Sequence, residues 1–394
     1  GVPLGAADHV AEARTLAVDI ALAGLLVQRV DAQQGEVGGA LGQLARGGCG
    51  GVQTRLQGGV EQGNRLAGIA RLQHDLRALL HHLHDLYQPA AEQRGLTLGA
   101  DPVATAMLHN SVNVMQAKRV EHGITEYPLF EHRELDDIEN EFETRHVERP
   151  FDLDPAGTIR GTFHDAGHIL GSVGVTIEAD GKKVFYTGDV NFEHSTLQKG
   201  ANFPETTVDA LIVETTRGEQ ARDPKYDRPT EEDEFAAAIN GVIQRKGSVL
   251  IPVFAMGKTQ EVLAMLHRFK KEGLIPKKTP VYIGGLSTKM TQVYDRFSTT
   301  SRRHLPNFRF LKDMEIEGGN KKRKGPIPFG SGCIYALSSG MMSENTVSNI
   351  FARQGILENK RNGLFFVGYC DPETPGGKIR MAKPGEIIQL DSEH

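Results

Sequence analysis

The segment Thr162-Phe-His-Asp-Ala-Gly-His168-Ile-Leu-Gly-Ser172 puts an imidazole in a glycine-flanked loop directly ahead of a strand-like run. Loops at strand ends are where a fold can aim an imidazole at a metal with little steric conflict. Asp189 follows 21 residues later, in Tyr186-Thr-Gly-Asp189-Val. One hairpin separates the two positions, so both side chains can emerge at the same rim of a sheet. A carboxylate there can bridge two cations, and a bridged pair of zinc ions polarises a phosphodiester and lowers the pKa of a shared water. Taken singly, each residue has a plainer explanation. A loop histidine is most often structural, and an Asp after a strand is usually a cap or turn residue.

Several elements must carry these residues. Ser172 to Ala179 alternates like a strand, Asp180-Gly181 makes a turn, and Lys183 to Thr187 returns as a second strand. Ala210 to Glu214 (ALIVE) reads as a third, more fully buried strand. Strands and helices then alternate. Thr230 with Asp233 fits a capping box opening a helix through about Gln244. The apolar run SVLIPVF follows, then a helix from about Lys258 to Lys271, strand PVYIG and a helix from about Ser287. Strand CIYALSS, a helix from about Ser343 and strand GLFFVGY complete the series. Such βαβα alternation implies a mostly parallel sheet with helices on both faces. Residues 315–330 form a polar, Gly- and Lys-rich loop.

In order along the chain, these segments resemble a known family. GTFHDAGHILGS followed by FYTGDV resembles the third and fourth metal motifs of the metallo-β-lactamase fold. Leu211-Ile-Val-Glu214-Thr-Thr-Arg-Gly218 looks like the first acidic motif of the beta-CASP branch, which includes ribonuclease J and the endonuclease of pre-mRNA 3′-end processing. Val249 to Glu261 (VLIPVFAMGKTQE) resembles that branch's strand-to-helix signature, and Ser338-Ser-Gly-Met-Met342 and Phe366-Val-Gly-Tyr369 recur in it. Several ordered matches are far more specific than any one of them. The resemblance covers roughly 107–394. It implies an α/β fold: a partial metallo-β-lactamase αββα sandwich with an inserted parallel α/β beta-CASP domain. It further implies a pair of zinc ions, with His168 binding one and Asp189 bridging both. Glu214 would stand near the metal centre, supporting proton transfer or orienting a catalytic histidine. Lys258, opening a helix, is placed to meet a phosphate. Ser338, Ser339 and Gly340 could hold another, and Lys321, Lys322, Arg323 and Lys324 could add backbone contacts or simply form a solvated loop.

Composition bounds the rest. The chain has 394 residues, 39% of them hydrophobic and 24% charged, as in ordinary globular proteins. No apolar run approaches the ~18 residues a membrane span needs, and the first residues lack the layout of a secretory signal. Three scattered cysteines, Cys49, Cys333 and Cys370, give neither a disulfide framework nor a metal pair. A reducing, cytoplasmic setting is therefore expected. The formal charge of −5 excludes nothing, since a basic groove can sit on a mildly acidic protein. Before Lys118 every basic side chain other than histidine is arginine, and the first Phe is Phe130. Residues 1–106 are an atypical Gly/Ala/Leu/Arg-rich region. A stretch translated out of its native frame would give that bias, as would a genuine Ala/Gly/Leu-rich helical region. The expected divisions are this region, a partial metallo-β-lactamase domain over 107–212, a beta-CASP domain over 213–378 and a truncated return to the first domain over 379–394.

The resemblance also implies an H-x-H-x-D-H motif before residue 107, and no segment fits it. The nearest is His81-His-Leu-His-Asp85, in which His82 and His84 have the right spacing but the Asp falls one residue early. A Ser-x-His-x-Asp segment and a later His are expected after Leu390, whereas this sequence stops at His394. Two ligands do not hold two zinc ions, since each takes about four donors. Two readings follow. One is a zinc-dependent hydrolase of RNA phosphodiester bonds, acting on single-stranded RNA and inactive as this chain stands if the site is incomplete. The other is a non-catalytic RNA-binding or scaffold relative of the same fold. The motifs from Glu214 to Tyr369 argue against a small-molecule hydrolase. No membrane partner is expected, and homodimerisation is left open.

Overall fold

The computed structural model describes residues 102–123, 125, 127–139, 145–216, 218, 222–317 and 327–390. The segment holding His82 and His84 and the basic run from Lys321 to Lys324 lie outside the described residues. The chain groups into two compact units. Of the described residues, one takes those up to 163 with 176–186 and 208–210; the other takes 164–175, 187–207 and those from 211 onward. Among the described residues no helix is long and apolar enough to cross a membrane.

Two helices, α1 (Pro102–His122) and α2 (His132–Glu139), precede a five-stranded sheet. Its strands β1 (Phe151–Asp152), β2 (Ile159–Asp165), β3 (Val173–Ala179), β4 (Lys182–Tyr186) and β5 (Ala210–Ile212) lie side by side in chain order. The expected hairpin is β3 and β4, turning at Asp180-Gly181. The expectation for β5 is corrected. ALIVE reads as a buried strand, yet Leu211 is 58% exposed and all three strand residues are exposed. Position explains it: among the described residues β5 is the sheet's edge, and apolar composition alone does not tell an edge strand from a central one.

The second unit holds α3 (Arg228–Gln244), β6 (Val249–Pro252), α4 (Lys258–Glu272), β7 (Val281–Ile283), α5 (Leu286–Arg296), α6 (Phe310–Asp313) and β8 (Ile316–Glu317). After these come β9 (Ile334–Leu337), α7 (Val347–Phe351), a π-helical turn (Ala352–Ile356), β10 (Gly363–Leu364) and α8 (Pro375–Met381). The sheet runs β10-β6-β9-β7-β8, and every neighbouring pair is parallel. Its two faces are buried by different helices, which is why its strands read as unbroken apolar runs. Val249, Ile251, Ile334 and Ala336 pack with Ala236 and Ile239 of α3 and Leu263 and Leu266 of α4. Their alternate neighbours Leu250, Tyr335 and Leu337 pack with Ala352 and Ile356 of the π-helical turn.

Two helix starts differ from the sequence reading. α3 opens at Arg228, not at Thr230, because Asp227 is its cap. The Asp227 carboxylate accepts from the Thr230 N–H at 3.1 Å and the Thr230 hydroxyl at 2.6 Å. Pro229 sits in the first turn, where its missing N–H costs nothing. α7 begins at Val347 instead of Ser343, since the Thr346 hydroxyl and N–H both turn back onto the Ser343 carbonyl. Asp227→Ala should therefore lower the urea midpoint of unfolding. An unchanged midpoint would place the cap elsewhere.

Candidate active site

The loop after β2 is built to present His168. The Asp165 carboxylate accepts the Gly167 N–H at 2.8 Å, and the Ser172 hydroxyl accepts both the His168 and Ile169 N–H groups at 3.1 Å. That hydroxyl in turn donates to the Ile169 carbonyl at 2.9 Å. Gly167 sits at φ +67, where a Cβ would lie 2.4 Å from the Ala201 nitrogen, so no other residue fits. The segment thus reads as a loop-closing code: Asp165 and Ser172 tie the ends, Gly167 admits the neighbouring backbone, and His168 is left exposed.

Asp189 leaves the turn after β4 half-buried. Glu214 fixes that turn. One of its oxygens accepts the Val190 N–H at 2.7 Å and the other accepts the Thr216 hydroxyl at 2.6 Å. Its backbone N–H donates to the Thr187 hydroxyl at 3.4 Å. Glu214 therefore acts on the residue next to Asp189, through the backbone.

The four charged or ionisable groups share one field. Part of the His168 side chain reaches solvent, yet enough protein surrounds the ring for its desolvation to lower the pKa below the usual imidazole value; Asp189 and Glu214 pull the other way, and Lys258 adds to the lowering. The neutral ring is the form that donates a lone pair to a metal. Burial raises the Asp189 carboxyl, with Glu214 adding to the rise and His168 opposing it. A cation beside Asp189 would stabilise its ionised form. Among the described residues no group of three or more His, Cys, Asp or Glu is placed to hold a metal ion. His168 and Asp189 thus offer two groups able to donate to a metal, and among the described residues no third joins them.

The strand-to-helix signature is legible side chain by side chain. Gly257 turns at φ +76, and a Cβ there would stand 2.3 Å from Cγ2 of Ile169, the residue after His168. Lys258 opens α4 and is exposed. The Thr259 hydroxyl donates back to the Phe254 carbonyl at 2.7 Å, and the Gln260 amide to the Ala255 carbonyl at 3.2 Å. Glu261 receives the Thr196 and Leu197 N–H groups at 2.6 and 2.9 Å, the Ser195 hydroxyl and the Arg228 guanidinium. It anchors the loop that follows Asp189. Glu261 ends the strand-to-helix signature, where its residue type alone assigns it no role; only the fold brings residues 195–197 to it.

Ser338, Ser339 and Gly340 follow β9. The Ser339 hydroxyl is buried and engaged within its own turn, accepting the Ser343 N–H at 3.1 Å. Gly340 is buried against Phe254, with a Cβ position 3.0 Å from that ring. Ser338, half-buried, is the member nearest the surface. These loops occupy a particular place. The connection from β6 to β7 passes toward one side of the sheet, and that from β9 to β10 toward the other. β6 and β9 are neighbours, so their carboxyl ends flank the point where the topology switches direction, the usual ligand position of open parallel sheets. Lys258 stands after β6 on one side of it and Ser338 after β9 on the other.

The family model described as the Beta-Casp domain matches residues 259–379. That stretch of the chain is similar to Beta-Casp domains. The family that the motifs resembled is thus the family the comparison finds. Among curated relatives, the cleavage and polyadenylation specificity factor subunit 3 of Dictyostelium discoideum is 31% identical over 245 residues, covering 59% of this chain and 30% of the relative. The endoribonuclease YSH1 of Mycosarcoma maydis is 30% identical over 259 residues, 61% of this chain and 27% of its own length. The RNase J-like protein of Methanocaldococcus jannaschii is 32% identical over 224 residues, 56% of this chain and 51% of its own. The chain thus spans between about a quarter and a half of the length of these relatives. Ser338 to Gly340 lie inside the matched domain; Lys258 immediately precedes it, and His168, Asp189 and Glu214 come earlier.

The contact between Gly257 and Ile169 is directly testable. Gly257→Ala adds both a clash and a strained φ, and should cost about 1–3 kcal/mol in thermal or urea unfolding. Pairing it with Ile169→Ala should recover part of that loss; strictly additive losses would mean that the two residues are not in contact.

Proposed function

We propose that the chain belongs to a zinc-dependent hydrolase of single-stranded RNA. The observation that carries the reading is the convergence of His168, Asp189, Glu214 and Lys258 in one electrostatic neighbourhood, directly ahead of a Beta-Casp domain. Relatives whose names are endoribonuclease and RNase J-like support RNA as the substrate. Zinc, when bound, would polarise the phosphodiester and supply a water of lowered pKa. His168 and Asp189 are the residues that would hold it, one as a neutral imidazole and one as an anion. Glu214 keeps the Asp189 turn in place through the Val190 N–H. Lys258 offers its ammonium, at a helix start, to a backbone phosphate.

A second reading rests on one observation. The described residues supply two metal donors, which suits a non-catalytic RNA-binding relative that keeps the architecture without the metals. An assay on a 5′-labelled single-stranded RNA separates the two. The nuclease reading expects metal-dependent cleavage that falls more than about a hundredfold in Asp189→Ala. Cleavage that survives Asp189→Ala removes this site from the chemistry, and binding without cleavage favours the scaffold. Lys258→Ala should weaken RNA binding and reduce the salt dependence of the binding constant by about one phosphate contact.

A further inference from the structure

Tyr369 is 65% exposed, in the loop that follows β10. Exposed apolar residues scattered over a surface need no explanation. The surroundings of this one are unusual. β10 lies beside β6, so its carboxyl end opens on the same edge of the parallel sheet as Lys258 and Ser338. The residue before it, Gly368, has no side chain. A Cβ there would stand 4.0 Å from Cε of Lys258 and 3.9 Å from the ring of Phe254, the ring that also underlies Gly340. The Arg380 guanidinium donates to the Gly368 carbonyl at 3.2 Å. An exposed aromatic ring thus follows a glycine that has a lysine and an arginine beside it, and the Asp371 carboxylate meets the Tyr369 hydroxyl.

The loop is also held. The buried Cys370 thiol donates to the Gly340 carbonyl at 3.5 Å, tying the turn after β10 to the turn after β9. The Thr374 hydroxyl and N–H both return to the Asp371 carbonyl, at 2.6 and 3.0 Å, and the Gly376 N–H reaches the Met341 carbonyl at 2.9 Å. A ring on a braced turn loses little freedom when a planar group stacks on it. Proteins that hold single strands combine cations that track the backbone with such aromatic platforms.

We propose that Tyr369 is a stacking platform for a base of single-stranded RNA whose neighbouring phosphate is held by Lys258. The proposal rests on the nuclease reading for its substrate class and adds a contact to the base. Stacking is tolerant of sequence, because every base has a π-face, so Tyr369 contributes to holding unpaired RNA with little preference among bases. A duplex, whose bases are already stacked, gains nothing from it.

The chain contains no tryptophan, so Tyr369→Trp introduces a single indole as a reporter. Titration with a short oligouridine should quench its fluorescence. An oligomer of the same length with abasic sites, and an RNA duplex, should leave it unchanged. By anisotropy, Tyr369→Ala should bind the oligouridine roughly five- to a hundredfold more weakly, while Tyr369→Phe stays close to the unaltered chain. If the unaltered chain binds but the indole is not quenched, or Tyr369→Ala binds equally well, the stacking role is overturned and the nuclease reading stands. If the unaltered chain does not bind single-stranded RNA at all, both fall together.

Discussion

At Gly257 the backbone turns with φ +76 so close to Ile169 that a Cβ would lie 2.3 Å from that side chain. Everything at the site depends on such close approach. The same turn starts α4, and so decides where Lys258 stands. Ile169 follows His168, so the turn also decides where the imidazole loop rests. On the other side of that loop, Gly167 presses its backbone against Ala201 and Asn191. Side chains are thus excluded from the places where backbone meets backbone, and the groups that can do chemistry are left at the surface between them.

Carboxylates do the remaining positioning. Glu214 and Glu261 both accept backbone N–H groups from the segment just after Asp189, at Val190 and at Thr196 and Leu197. Hydrogen bonds to an ionised acceptor are the stronger kind, and several donors on one carboxylate fix a loop without burying a strand. The Glu261 charge is matched by Arg228 at 2.7 Å, so its anchoring role does not leave a bare anion near the sheet. The site's own charges are less balanced. Asp189 and Glu214 face a His168 held toward neutrality and one lysine, an arrangement that a cation would complement.

Much of this was legible in the residues. The alternation of apolar runs and helical segments gave the parallel sheet, because a strand covered on both faces has no polar side to show. The loop bearing His168 and the turn bearing Asp189 were visible as short motifs, since Asp165, Gly167, Ser172 and Glu214 act within or next to them. What stayed hidden depends on contacts distant in sequence. ALIVE is apolar enough for a core strand, and only its place at the sheet edge exposes Leu211 and Val213. Asp227 outcompetes Thr230 as a cap because Pro229 favours the earlier start. Ser339 reads as a hydroxyl that could hold a phosphate, yet it is buried and accepts the Ser343 N–H. Tyr369 lay inside a quoted motif, and its setting beside Lys258 appears only once β10 is placed next to β6.

The central claim is that His168 and Asp189 are ligands of one metal centre. Zinc per chain, by elemental analysis of untagged and extensively dialysed protein, tests it most directly when His168→Ala and Asp189→Ala are measured alongside. The account predicts bound zinc in the unaltered chain and a clear loss of it in both variants. Close to none in the unaltered chain, or the same content in all three proteins, would contradict it.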